Sequence, residues 1–168
     1  VHACNTAGAI TAPAARYDMV RIGIGVYGIP PAPALAGAVE LAPVMSVRAH
    51  VSHVQSLQSG EGVSYGLRYT VDRPARVVTV PVGYADGVPR QASGVGPVLI
   101  NGRPHTVAGL IAMDQFVVDV GDEPVDVGDE VVLFGDPALG HPSATDWADA
   151  AGTIHYEIVT RIGHRVPR

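Results

Sequence analysis

Lysine is missing altogether: all 11 basic residues of the 168 are arginine. Chemistry that requires a side-chain amine, Schiff-base formation above all, therefore has no group here to carry it. The single cysteine, Cys4, excludes an internal disulfide. No apolar run approaches the roughly 18 to 20 residues of a membrane span, and no basic stretch leads into a signal-type apolar segment at the start. No membrane association is expected, and the cytoplasm is the expected location. A net charge of −5, with the arginines spread along the chain, provides no basic face for nucleic acid. Histidine and cysteine do not cluster with metal-ligand spacing. His50 and His53 come nearest, but residues three apart on a strand point to opposite faces, so they read as surface or core histidines.

What is present suits a globular chain of about one domain: 47% of the residues are hydrophobic, with 20 glycines and 14 prolines. A polar opening (His2, Asn5, Thr6) precedes Tyr17–Gly28, a β-rich run interrupted by Gly23, Gly25 and Gly28. The Pro/Ala-rich stretch Ile29–Ala38 reads as a linker, which places a boundary near residue 38. Beyond it the chain reads as antiparallel β. Leu41–Leu57 alternates apolar and polar residues like one half-buried strand, and Arg76–Val82 is a second. Val98–Ile100 and Thr106–Ile111 form a hairpin around Asn101-Gly102, and Phe116–Val120 and Glu130–Phe134 add two strands. One short helix is expected near the end, where Ser143 and Asp146 have capping-box spacing and Trp147, Ala148 and Ala151 precede Gly152. A chain that opens at Val1 directly into dense motifs is expected to be part of something longer; the alternative is a mature protein of GC-biased composition.

On this reading alone the chain is a small β-domain with a mixed preamble, equally a binding module or part of an enzyme. The motifs decide between them. His2-Ala3-Cys4-Asn5-Thr6-Ala7, Asp18 to Gly28, Gly60-Glu61-Gly62-Val63-Ser64-Tyr65-Gly66, Val82-Gly83-Tyr84-Ala85-Asp86-Gly87, Met113-Asp114-Gln115 and Gly152 to Glu157, in that order, resemble the alanine racemase family over nearly the whole chain. The resemblance implies a mainly β fold class, with residues 1–38 the last piece of a TIM-type α/β barrel plus linker and residues 39–168 the antiparallel C-terminal β-domain. It further implies pyridoxal 5'-phosphate as cofactor, alanine as substrate, and a head-to-tail homodimer with a shared active site. The expected activity is interconversion of L- and D-alanine by two bases, supplying D-alanine for peptidoglycan. The barrel part that carries the cofactor lysine is not in this sequence, so the chain alone is expected to be inactive.

Residue by residue, the resemblance makes Arg21 the donor to the cofactor's pyridine nitrogen. Guanidinium does not surrender its proton, so that nitrogen stays unprotonated and transamination is disfavoured. The competing reading of Arg21 is a surface ion pair. His2 would orient Arg21. The phosphate would be held by N–H groups at Gly23 and Ile24, by Asn5, by Thr6 where the family usually has serine, and by Tyr156, which otherwise reads as a half-buried aromatic beneath the preceding helix. Tyr65 would exchange the α-proton of the L-enantiomer in a neighbouring subunit's site. A phenol with a pKa near 10 needs about three units, or roughly 4 kcal/mol, of phenolate stabilisation to serve as a base near neutrality. Tyr84 would narrow the access corridor and, with the main chain of Met113, hold the substrate carboxylate; Arg90 would line the same corridor, and Asp114 would cap a turn. Leu110-Ile111-Ala112 stands where the family often has Arg, Ile and Cys, which removes a charge from that corridor. A broader, serine-type racemase and a non-catalytic β-module for assembly remain as alternatives. The second has no need of Arg21, Tyr65, Tyr84 and Tyr156 together.

Overall fold

The computed structural model describes residues 1–168, which form two compact units, Val1–Met45 and Ser46–Arg168. In the first, Asn5 starts helix α1 (Thr6–Thr11), its side-chain oxygen accepting the Gly8 N–H at 3.0 Å and so satisfying one of the donors a helix start leaves open. The helix was not expected from what reads as a polar opening. Residues 18–21 then run parallel to residues 1–4: Asp18 N–H donates to Val1 O (3.2 Å), Arg21 N–H to Cys4 O (2.8 Å), and His2 bridges Met19. The expected β-rich run over Tyr17–Gly28 goes no further than this single bridge. Tyr17 is already left-handed at φ 47°, and Ile24–Tyr27 wind into a 3₁₀ turn closed by Gly28 at φ 73°. Gly28 is also obligatory sterically, because a Cβ there would overlap the Ala42 carbonyl. The Pro/Ala-rich segment holds one more 3₁₀ turn, Pro33–Leu35.

The second unit contains nine strands: β1 (Val47–His50), β2 (His53–Leu57), β3 (Gly62–Val63), β4 (Tyr69–Thr70), β5 (Ala75–Val80), β6 (Pro97–Ile100), β7 (Arg103–Ala108), β8 (Phe116–Gly121) and β9 (Glu130–Phe134). Seven form an all-antiparallel sheet in the order β1-β9-β6-β7-β8-β5-β2, and β3 pairs with β4 separately. The two edges of the seven-stranded sheet, β1 and β2, are neighbours in the chain. Val51 N–H bonds Asp129 O and Ser52 N–H bonds Thr79 O, each at 2.9 Å, so the sheet curls until its first and last strands meet in one stretch of backbone. The strand expected over Leu41–Leu57 is thus two strands, and it starts at Val47. Its alternation holds as far as Ser52 and is lost in β2, and its hydrogen-bond partners change at Val51–Ser52.

The hairpin forms around Asn101 (φ 49°) and Gly102 (φ 76°), with Ile100 opposite Arg103; the positive φ at both residues is what a two-residue turn requires. Its second strand begins at Arg103 rather than Thr106 and ends at Ala108, before left-handed Gly109. Inward residues Val78, Val80, Val98, Ile100, Phe116, Val118 and Val131 are fully buried. Helix α2 (Ala144–Ala151) has the expected cap: Ser143 Oγ accepts from Asp146 N–H while Asp146 accepts from Ser143 N–H, and Gly152 closes it at φ 66°. Its Trp147 is buried, donates to Leu133 O at 2.6 Å, and lies where a Gly96 side chain would otherwise project. A second terminal helix, α3 (His155–Arg161), was not expected. Ile154 at its N-cap offers no capping side chain, which removes the usual sequence signal for a helix start.

Candidate active site

In the first unit the predicted cofactor residues gather where residues 1–6 meet residues 21–25. Arg21 has no carboxylate partner, against the surface ion-pair reading; its guanidinium bonds His2 Nδ1 and reaches Ala3 O at 3.4 Å. Because guanidinium has no acceptor, His2 Nδ1 is the acceptor of this bond. Thr6 Oγ1 accepts from the N–H groups of Gly23 (3.2 Å) and Gly25 (3.4 Å), binding the helix start to the glycine turn. Gly23 N–H is therefore already engaged, while Ile24 opens the turn and its N–H has no partner within it. A Cβ at Gly23 would meet nothing within 4 Å, so its face is open. Asn5 spends its oxygen on the α1 cap.

In the second unit, Tyr65, Tyr84 and Met113 hang from one four-residue segment, Leu110–Met113, which follows β7. Leu110 N–H donates to Ser64 Oγ at 2.7 Å and Leu110 O accepts from the same hydroxyl at 3.2 Å. Ile111 N–H donates to Ser93 Oγ at 3.0 Å, and that hydroxyl donates to Arg90 O, tying in the Arg90 turn. Tyr84 N–H donates to Ala112 O at 3.0 Å and Ala85 N–H to Met113 O at 2.9 Å. The approach of these two stretches is close enough to require glycine at 83, where a Cβ would lie 2.5 Å from the Met113 carbonyl. Ala112 N–H is bonded to Gln115 O, so the N–H of Met113 is the one left without an acceptor on this segment. Asp114, expected to cap a turn, makes no side-chain hydrogen bond.

Tyr65 sits on a 3₁₀ turn, Tyr65–Leu67, and is 73% exposed; Met113 is 55% and Tyr84 42% exposed. An open cavity of about 460 Å³ beside Tyr65 is lined by Ser64, Leu110, Ala112, Gln115 and Phe116 among others. The absence of an arginine at 110 leaves that wall uncharged. Tyr156 lies elsewhere, in the first turn of α3, its ring stacked on His155 with centroids 4.8 Å apart; no hydrogen bond joins it to the other three. Burial pushes the His155 imidazole below its ordinary 6.5.

Two supporting groups went unrecognised in the sequence. In the sequence Ser64 stands out only as a flank of Tyr65. Asp86 is the one buried charged residue of the chain, 6% exposed; it accepts from Gly83 N–H at 2.9 Å and faces Arg165 Nε at 3.3 Å, so it fixes the Tyr84 turn. The Gly83-to-Asp86 spacing, that of an N-cap and N3 residue, was the available signal.

Fold and geometry define a class: a curled antiparallel β-domain that presents an exposed tyrosine and a free main-chain donor from a rigid segment. The sequence profile described as "Alanine racemase, C-terminal domain" matches residues 44–168, and the chain belongs to the alanine racemase family. Among its relatives, the alanine racemase of Thermobifida fusca is 51% identical over 99% of this chain and 44% of its own length, and that of Streptomyces coelicolor is 52% identical over 99% and 43%. The crystal structure of alanine racemase from D-cycloserine-producing Streptomyces lavendulae superposes with a TM-score of 0.94 at 50% identity, covering 99% of this chain and 44% of that one. The chain thus spans less than half the length of the curated relatives it matches. No helix is long and apolar enough to cross a membrane.

Proposed function

We propose that this chain is the C-terminal part of a pyridoxal-phosphate-dependent alanine racemase, with residues 1–38 completing a cofactor barrel and residues 39–168 offering Tyr65 to the site of a neighbouring subunit in a head-to-tail homodimer. The observation that carries the reading is the pairing, on the Leu110–Met113 segment, of an exposed tyrosine with an unengaged N–H. A racemase needs one group that moves a proton and one that holds the carboxylate still.

The residues around Gly23 suit a phosphate. The glycine face is open, the Ile24 N–H is uncommitted, and the Thr6 hydroxyl lies beside both without any cation being required. When bound, pyridoxal phosphate withdraws electrons from the α-carbon of an attached amino acid and makes its proton removable. Arg21, oriented by His2, would donate to the pyridine nitrogen while keeping its own protons, and so would leave that nitrogen unprotonated. Met113 N–H and Tyr84 bind the carboxylate and narrow the approach. Tyr65 Oη takes the α-proton of L-alanine and returns a proton to the same face in the reverse direction. The base for the opposite face is a lysine from outside this chain, which contains none.

Tyr65→Phe in the full-length enzyme tests the reading. Exchange of the α-proton with solvent deuterium, followed by NMR, is expected to be lost starting from L-alanine and largely kept starting from D-alanine. Equal exchange from both enantiomers would remove Tyr65 from the mechanism.

A further inference from the structure

We infer that Ser64 is the positioning residue for Tyr65, its hydroxyl holding the phenol in the direction proton transfer needs; this rests on the reading of Tyr65 as the L-face base. Ser64 has φ 71° and ψ 167°, a region almost reserved for glycine. A serine persists in such a conformation only where its surroundings hold it there. Here two features do. The Ser64 hydroxyl makes a reciprocal pair with Leu110, accepting the N–H at 2.7 Å and donating to the carbonyl at 3.2 Å. Residue 109 is a glycine at φ 72°, where any Cβ would lie 2.7 Å from Ser64 Cβ and 2.8 Å from its Oγ.

Tyr65 itself has no other restraint of this kind. It is 73% exposed, its hydroxyl has no hydrogen-bond partner in the chain, and the next residue, Gly66, is left-handed at φ 66°. The direction of the ring is therefore inherited from the backbone at 64, and the backbone at 64 is inherited from Leu110. The same four-residue segment presents Met113, so one hydroxyl ties the proton-moving group to the carboxylate-holding group. Deleting it leaves Tyr65 chemically intact but free to swing, and a displacement of about 1 Å at a reacting group costs on the order of 10²-fold in rate.

The test uses the full-length enzyme with Ser64→Ala and Ser64→Gly. Glycine relieves the unfavourable φ while removing the hydroxyl, so it separates strain from hydrogen bonding and keeps the loop foldable. Both variants are expected to lower kcat by about tenfold or more, with little change in melting temperature for Ser64→Gly. The primary isotope effect on kcat/KM should rise for α-deuterated L-alanine but not for α-deuterated D-alanine, where the slowed Tyr65 step follows proton abstraction and the effect should hold or fall. A merely structural role would lower turnover without that asymmetry. In a Tyr65→Phe background, Ser64→Gly should cost nothing more. If Tyr65→Phe is impaired as expected but Ser64→Gly retains kcat and both isotope effects, the positioning role is overturned and the Tyr65 reading stands. If Tyr65→Phe retains full exchange from L-alanine, the underlying reading fails with it.

Discussion

The two units hold their candidate functional residues by different means. In residues 1–45 only Cys4, Thr6, Ile24 and Gly28 are buried, and order comes from individual polar bonds: Thr6 to two glycine N–H groups, Arg21 to His2, Asn5 to Gly8. In residues 46–168 the functional turns are short, exposed and strained, but they spring from a curled sheet whose interior is valine, isoleucine, phenylalanine and tryptophan. Burial of that apolar surface supplies the stability from which strain at Ser64 is drawn. Precise placement can thus come from hydrogen bonds with almost no core, or from a core that tolerates local strain. The first is sensitive to each polar residue; the second is sensitive to packing.

The sharpest way to break this contrast is to remove one core side chain from each unit. Trp147→Ala should cost residues 46–168 about 3 to 5 kcal/mol, read as a lower denaturant midpoint. Ile24→Ala should leave the main unfolding transition of that unit where it is. A common shift from both variants would mean that the two units share one cooperative transition.

A smaller effect is expected where core and function meet. Gly83→Ala introduces a Cβ against the Ala112 and Met113 carbonyls and should cost about 1 to 3 kcal/mol, as overpacking does. On the proposed role of Met113 it should also raise KM in the full-length enzyme, because the Met113 N–H is displaced with the carbonyls. Steady-state kinetics beside a melting curve would check both, and an unchanged KM would detach Met113 from substrate binding.

The smallest effects are the titrations in the second unit. Burial lowers the His155 pKa from 6.5, so the folded form takes up its proton less readily than the unfolded chain. The stability involved is complete above that value and declines as the pH drops below it. Tyr69 is the opposite case. Burial and its hydrogen bond to Asp119 at 2.7 Å push its phenol from 10.0 up to about 12, so its contribution is complete below pH 10.0 and is lost as the pH rises through about 12. Melting temperature against pH should fall at both ends, and Tyr69→Phe should flatten only the alkaline one.

The strands of the second unit were legible where β-branched residues run together between turn residues, as in β5, β8 and β9, and so were the Asn101-Gly102 turn and the Ser143 cap, because each is decided by residues a few positions apart. The break between β1 and β2 was not legible, since it is imposed by β9 on one side and β5 on the other. Helices α1 and α3 were missed for lack of length and, at Ile154, of a cap. The site divides in the same way. Tyr65, Tyr84 and Met113 are candidates because their motifs resemble the family's, whereas the clamp at Ser64 depends on a partner 46 residues away, and no local pattern announces it.

The meeting of both sheet edges at Val51–Ser52 also sets an order of assembly. Strand β1 can pair only with β9, and Arg48 meets Glu130 across 82 residues of chain. During synthesis β2 can dock on β5 as soon as residue 80 has emerged, but its neighbour β1 must wait, unpaired, until residue 134 is available. Contacts of such high sequence separation slow folding and leave a strand edge open meanwhile. Ring closure is thus the expected slow step of the domain, and chains truncated before β9 should expose an unpaired β1 edge.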